Sequence, residues 1–144
     1  MKSNKGFTLV ELLAVIVILA IVALVATPVI LNIIESSTNK AKDSSARLVI
    51  KSVELAYTTY ISKNDGNIPK KSELITEFNG MMDSNTNWTA TADGKGEIKA
   101  SDDNVLCDTT TPSAGKLRVT CNLATKKNGE VQSISTKDLS ITAE

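Results

Sequence analysis

The most constraining feature of this sequence is an uninterrupted apolar run close to its N-terminus. From Leu12 to Ile34 there are 23 residues without a charge, and only Thr27, Pro28 and Asn32 interrupt the Leu, Val, Ile and Ala. A helix needs roughly 20 apolar residues to cross a hydrocarbon core of ~30 Å. The run is therefore long enough to span a membrane.

The charges that precede the run predict its orientation. Lys2 and Lys5 are the only charges before Glu11. Because positively charged flanks stay on the cytoplasmic side, we predict a cytoplasmic N-terminus and an exported remainder. A cleaved conventional signal peptide is the alternative, but its apolar stretch is only about 7–15 residues. The best small-residue cleavage site here, which ends at Ala26, also has Leu24 two places earlier.

The composition argues against several functions. The chain has 16 Lys+Arg, 16 Asp+Glu and no His. Nucleic-acid binding needs a surplus of basic residues on one face, so we predict no nucleic-acid partner. Without His the chain lacks the commonest general base and the commonest metal ligand, and it contains no recognisable phosphate loop or catalytic carboxylate pair. We predict that the protein is not an enzyme and has no cofactor.

Glu11 is a carboxylate at the start of an apolar stretch that effectively begins at Phe7. At the centre of a span such a group costs ~2.5–3.5 kcal/mol and usually has a partner. In the first turns of a helix the dipole favours it instead. Considered alone, Glu11 is either a tolerated interfacial residue or a contact that requires a partner.

The residues around Glu11 resemble the processing site of type IV pilins and the related pseudopilins. The sequence Lys5-Gly6-Phe7-Thr8-Leu9-Val10-Glu11 combines a short basic leader, a Gly-Phe pair and an acidic residue before the apolar run. In that family a dedicated membrane peptidase cuts after the glycine, and the new N-terminal residue is N-methylated. The resemblance implies that Gly6 ends the leader, that Phe7 is methylated, and that Glu11 occupies the family's acidic position.

The resemblance also gives Glu11 a role. Cleavage would create a charged amine on Phe7, which is a natural partner for a carboxylate in apolar surroundings. The two residues lie four positions apart on one helical face. In a filament of staggered parallel helices, Glu11 would instead meet the Phe7 amine of a neighbouring subunit. Both pairings stay open, and in either one Glu11 is an assembly contact.

Pro28 interrupts the regular pattern of the run. It lacks a backbone N–H and crowds the carbonyl of Leu24, so it weakens one turn of hydrogen bonding. Membrane helices tolerate such a kink. The resemblance implies that this stretch extends when subunits leave the membrane and pack together. We predict a helix break at Pro28.

The chain as a whole is predicted to be α+β and pilin-like, with a long helix packed against a small antiparallel sheet. Its four segments are a cleaved leader (1–6), a transmembrane or filament-core helix (7–34), an amphipathic continuation (35–63) and a globular head (64–144). The amphipathic part has apolar residues at helical spacing. They are Ala46, Val49, Ile50, Val53, Ala56, Tyr57, Tyr60 and Ile61.

The head is predicted to contain a short helix followed by strands. The helix covers 71–82 with Ser72 as its N-cap. The predicted strands are 86–92, 97–100 after an Asp93-Gly94 turn, 116–123, 130–135 and 139–142. Because the head has few large apolar residues, its sheet must pack on the apolar stripe of the long helix to be stable.

Cys107 and Cys121 are the only cysteines and both lie in the exported part. Export permits oxidation, and pilins often carry a disulfide bridge near the C-terminus. A bond between them would add roughly 3 kcal/mol of stability in the chain-entropy model. With two thiols and no His, a zinc site is not expected.

Two weaker signals stay open. Asp102, Asp103 and Asp108 could hold calcium, as the heads of some type II secretion pseudopilins do, although their spacing does not match an EF-hand loop. The sequence Asn87-Trp88-Thr89 matches a glycosylation sequon.

The function predicted from the sequence is that of a type IV pilin precursor. Such a subunit passes through the cytoplasmic membrane, meets the prepilin peptidase and the assembly machinery, and polymerises with copies of itself into an extracellular filament for adhesion or motility. The first alternative is a pseudopilin of a type II secretion or DNA-uptake system. The second is an adhesin tethered by a single span, which would need neither Glu11 nor processing after Gly6.

Overall fold

The computed structural model describes residues 6–100 and 106–142, and in these ranges two helices precede six strands. The elements are α1 (Leu9–Lys63), α2 (Lys71–Met81), β1 (Thr86–Ala90), β2 (Gly96–Ala100), β3 (Leu106–Thr110), β4 (Lys116–Lys127), β5 (Glu130–Ser135) and β6 (Leu139–Ser140). This arrangement confirms the predicted α+β class. The chain divides into two compact units between Thr38 and Asn39, and α1 contributes residues to both. We call the second unit the head unit.

Helix α1 ends at Lys63 because the following residues adopt conformations that cannot continue it. Asp65 and Gly66 both have positive φ, of 53° and 86°. The Gly66 N–H then donates to the Ile61 carbonyl at 2.9 Å, and the side-chain amide of Asn64 donates to the Tyr60 carbonyl at 2.8 Å. These bonds satisfy carbonyls that the last helical turn leaves free.

The strands form one antiparallel sheet in the order β1-β2-β3-β4-β5, and β6 pairs with the first residues of β4. The β4–β5 hairpin turns at Asn128 and Gly129, whose φ values of 54° and 82° suit a two-residue type I′ turn. At the predicted turn between β1 and β2, Gly94 has a φ of 76°. Local turn chemistry therefore fixes both hairpins.

Some element predictions are corrected by the structure. Strand β3 has no predicted counterpart, because its five residues include few apolar ones and it is held by pairing with β2 and β4 on both sides. Ser72 is not the N-cap of α2 and lies inside the helix. The Lys70 N–H instead donates to Glu73 Oε2 at 2.7 Å. Thr142 lies outside the last strand, in an isolated bridge with Lys70.

The core of the head unit forms where the sheet and α2 meet the apolar stripe of α1. Phe78 and Trp88 are fully buried and pack edge to face, with ring centroids 5.6 Å apart. The predicted packing of the sheet on the amphipathic half of the long helix is confirmed. The buried hydrophobic residues are Ala46, Val49, Ile50, Val53, Ala56, Leu74, Phe78, Trp88, Ile98, Cys107, Leu117, Val119, Cys121 and Leu139.

Candidate functional site

The first turn of α1 is closed by a reciprocal pair of hydrogen bonds between Thr8 and Glu11. The Thr8 N–H donates to Glu11 Oε2 at 2.8 Å, and the Thr8 hydroxyl donates to the same oxygen at 2.8 Å. The Glu11 N–H in turn donates to Thr8 Oγ1 at 3.3 Å. This is a capping box, in which the N-cap and the third helical residue satisfy each other's free backbone donors.

The capping box leaves part of the Glu11 carboxylate available. Both bonds from Thr8 end on Oε2. The other oxygen, Oε1, accepts no hydrogen bond from any residue that the structure describes. A carboxylate can accept several donors at once. Glu11 is thus held in a fixed orientation at the helix start and can still receive a donor from outside the chain.

The apolar side chains around and after Glu11 are exposed in the part of the chain that the structure describes. Leu9, Leu19 and Ile33 expose 80%, 61% and 62% of their surface. By length and composition α1 can cross a membrane, and none of its most apolar window is buried. Contiguous apolar surface of this extent marks a membrane or protein contact. The helix start therefore combines an apolar surface with one oriented carboxylate.

Pro28 does not break the helix, in contrast to the prediction. Helix α1 continues through it without interruption. A proline removes one backbone donor, so the loss is confined to a single turn. Next to it, the Thr27 hydroxyl donates to the Ala23 carbonyl at 2.7 Å, a bond that helices accommodate without unwinding. The extension of this stretch on assembly remains a prediction.

Cys107 and Cys121 form a disulfide across the centre of the sheet. The antiparallel register places them directly opposite each other on β3 and β4, with their Cα atoms 4.1 Å apart. Both are fully buried in the core cluster. The bridge therefore joins two core strands of the head unit.

The structure describes only part of the possible calcium site but all of the glycosylation sequon. Asp102 and Asp103 lie outside the described residues, while Asp108 is exposed on β3. Among the residues that the structure describes, no cluster of three acidic, Cys or His side chains could hold a metal ion. In the sequon, Asn87 is exposed on the edge strand β1 and its neighbour Trp88 is buried.

Asp43 makes a long-range structural contact in the head unit that sequence reasoning missed. Its Oδ1 accepts the N–H of Ala124 at 2.7 Å and the N–H of Thr125 at 3.2 Å, where the β4–β5 register shifts. Burial raises the pKa of Asp43, but hydrogen bonds from Thr125 and Ala124 and the charge of Arg47 outweigh it. The pKa of Asp43 therefore lies below its ordinary value.

Other carboxylates in the head unit have similar structural roles. A hydrogen bond from the Lys70 N–H, with a second from the Tyr60 hydroxyl, lowers the pKa of Glu73. A hydrogen bond from Arg118, with its Nε 2.7 Å from Oδ1, lowers the pKa of Asp138. These shifts reflect surface contacts that connect elements of the head unit.

Sequence reasoning also missed Thr8, although a signal for it was present. The spacing Thr8-x-x-Glu11 before an apolar run is the sequence signature of a capping box. Asp43 had no such signal, because its partners are backbone amides about eighty positions away along the chain.

The fold and the site define a class: an α+β protein with a capped, exposed apolar helix at its N-terminus and a small head. Within this chain, residues 1–27 match the family described as the prokaryotic N-terminal methylation motif. No curated protein and no solved structure matches the chain. The motif supports a precursor of the type IV pilin or pseudopilin type. With the long apolar helix, it fits a membrane-anchored precursor.

Proposed function

We propose that this protein is the precursor of a type IV pilus subunit. The leader is cut after Gly6, Phe7 becomes the N-methylated first residue, and the subunit polymerises with copies of itself through its N-terminal helix. The observation that carries the proposal is the methylation motif over residues 1–27, placed at the start of an exposed apolar helix. The filament serves adhesion or motility, and the role of the chain is structural rather than catalytic.

The geometry at Glu11 supports an assembly contact. Thr8 orients the carboxylate through Oε2 and leaves Oε1 open to a further donor. After processing, the amine of Phe7 in a neighbouring subunit is a donor of the right charge. A charge pair of this kind, in apolar surroundings, would set the register between neighbouring helices.

The test is the N-terminus of the chain isolated from its native host. Intact-mass measurement should give a chain that begins at Phe7 and carries one added methyl group. Retention of Met1 in the protein from wild-type cells would overturn the proposal.

A glycine variant tests the cleavage site directly. Nothing lies within 4 Å of a Cβ added at Gly6, so Gly6→Val should leave the fold intact while blocking removal of the leader. Gly80→Ala is the matched control, because Gly80 in α2 is equally open. Its chain should be processed normally.

Electron microscopy of the cell surface tests the filament itself. Filaments should be visible on the cell surface, and filaments sheared from the cells should contain this subunit. A processed chain that never reaches the surface would indicate a pseudopilin, and an unprocessed surface protein would indicate a tethered adhesin.

A further inference from the structure

The Asp43 carboxylate holds the far end of β4 beside the first turns of α1 within the head unit. It accepts the backbone N–H groups of Ala124 and Thr125 at 2.7 and 3.2 Å. Lys126 directly follows Thr125, and Lys42 directly precedes Asp43. This contact therefore brings basic residues from two distant parts of the sequence to one end of the head unit.

Four lysines lie within three residues of these contact residues along the chain, and we call them the lysine patch: Lys40, Lys42, Lys126 and Lys127. Lys42 is half-buried and the others are exposed. None of the four pairs with a carboxylate of a residue within 6–100 or 106–142. Elsewhere in the head unit, five cations pair with carboxylates: Lys51, Lys63, Lys95, Lys99 and Arg118.

The acidic groups near the patch do not cancel its charge. Asp43 is engaged with backbone amides, and Arg47 lies close enough to act on it electrostatically. Glu130 lies opposite Lys127 across the hairpin, but the two form no ion pair. The patch thus keeps a positive excess in a chain whose total formal charge is zero.

The covalent chain limits how far Lys40 can lie from the end of the apolar run. Ile34 ends the run and Lys40 follows six residues later. Six residues span at most about 20 Å in any conformation. When the run lies in a membrane, Lys40 is therefore held near the headgroup layer, where anionic lipids attract lysines electrostatically.

We infer that the lysine patch docks on anionic phospholipid headgroups while the chain is anchored in the membrane. The inference rests on the membrane anchoring that the proposed function also uses, but not on cleavage or polymerisation. A nucleic acid or the acidic surface of a second copy would have to be recruited to the patch. The membrane anchor, in contrast, already brings lipid headgroups close to Lys40.

The test uses the full chain reconstituted into vesicles of phosphatidylcholine, with or without phosphatidylglycerol. Flotation with the vesicles verifies insertion, and mass spectrometry follows the rate at which each lysine is acetylated. With phosphatidylglycerol, Lys126 and Lys127 should react about fivefold more slowly, the factor expected for one lysine at an anionic surface. The protection should disappear at ~1 M salt, where the screening length falls to ~3 Å.

Lys137 is the internal control. It is exposed and lies next to Asp138, which pairs with Arg118 near the opposite end of β4. Arg118 and Lys127 are nine strand residues apart, or roughly 30 Å. Lys137 should be acetylated at the same rate in both kinds of vesicle.

Two double variants separate charge from structure. In K126Q/K127Q the dependence of Lys40 and Lys42 acetylation on phosphatidylglycerol should be lost. In K126R/K127R, which keeps both charges, it should persist, and K137Q should behave as wild type.

Three results would overturn the inference. Equal rates with and without phosphatidylglycerol would show that anionic lipid is not the partner. Equal protection in both kinds of vesicle would indicate that a second copy covers the patch. A chain that does not float would remove the anchoring itself. The first two results would leave the proposed pilin function standing, because that function is tested by the processed N-terminus.

Discussion

Leu19 and Leu74 are residues of the same type in two regions of one chain, but one is exposed and the other is buried. Leu19, in the N-terminal part of α1, exposes 61% of its surface, whereas Leu74 in α2 is fully buried. The first region is almost entirely apolar and buries little of itself. The second is mostly polar, with a core assembled from both helices and the sheet.

The difference shows where each region obtains its stability. An isolated apolar helix cannot cover its own surface, so its favourable contacts must come from a membrane or from other chains. Only 3% of the residues in the whole sequence are aromatic, so the head has few large side chains with which to fill a core. It completes its core by packing on α1. Trp88 is the only tryptophan and is buried in that core, so its fluorescence reports unfolding of the head selectively.

The largest expected effect comes from Glu11→Ala. The variant should assemble no filaments, because the apolar helix loses the one carboxylate that can meet a neighbouring amine. Flotation should show normal membrane insertion, and Trp88 fluorescence should show an unchanged head. Glu35→Ala, at the other end of the apolar run, is the control and should assemble filaments. Wild-type amounts of the Glu11→Ala chain in sheared material would contradict the assembly role.

A matched pair of leucine variants tests the contrast in packing. Leu74→Ala should lower the free energy of unfolding of the head by about 2–5 kcal/mol, since it opens a cavity in a packed core. Leu19→Ala should leave that free energy unchanged. Urea titration of the full chain in detergent, followed by Trp88 fluorescence, measures both. Equal destabilisation by the two variants would mean that the head depends on the apolar region.

The Asp43 contact predicts a pH dependence of head stability. Its folded-state pKa is lowered, so the stabilisation is complete above the unfolded pKa and is lost as pH falls through the folded value. At pH 7, Asp43→Ala should cost about 1–3 kcal/mol, as expected for hydrogen bonds to a charged group. The difference from wild type should shrink well below pH 4. The measurement is the urea midpoint of each chain across this range.

Asp43→Asn is the matched control for charge. It keeps an oxygen that can accept the amide donors, so its cost at pH 7 should be smaller than that of Asp43→Ala. A wild-type advantage that stayed constant to the lowest pH would rule out the charged contact as its source.

The smallest expected effect comes from the cap of α1. Thr8→Ala removes the N-cap side chain, which is worth ~1 kcal/mol of helix stability, and frees Glu11 from its fixed orientation. Filament yield in sheared material should fall about fivefold, the factor that corresponds to this energy. Thr8→Ser keeps the hydroxyl and should restore the yield. Equal loss in both variants would show that the methyl group, and not the cap, matters.

Much of the fold could be predicted because its signals are local in the sequence. The apolar run, the helical stripe from Ala46 to Ala56 and the turn at Asp93-Gly94 all follow from spacing over a few residues. The capping box at Thr8 has a local signature too, in the spacing Thr8-x-x-Glu11. Strand β3 was missed because its pairing with β2 and β4, rather than its own composition, makes it a strand.

The sequence by itself determined that the N-terminal half of α1 is an apolar helix long enough to cross a membrane. It also determined where the helix ends and which stripe faces the core. Only the tertiary structure decided that Asp43 joins the helix to Ala124 and Thr125 of β4 beside the lysine patch. The physical reason is range: periodicity and turn chemistry act over a few residues, whereas these contacts depend on segments that meet only after the chain has folded.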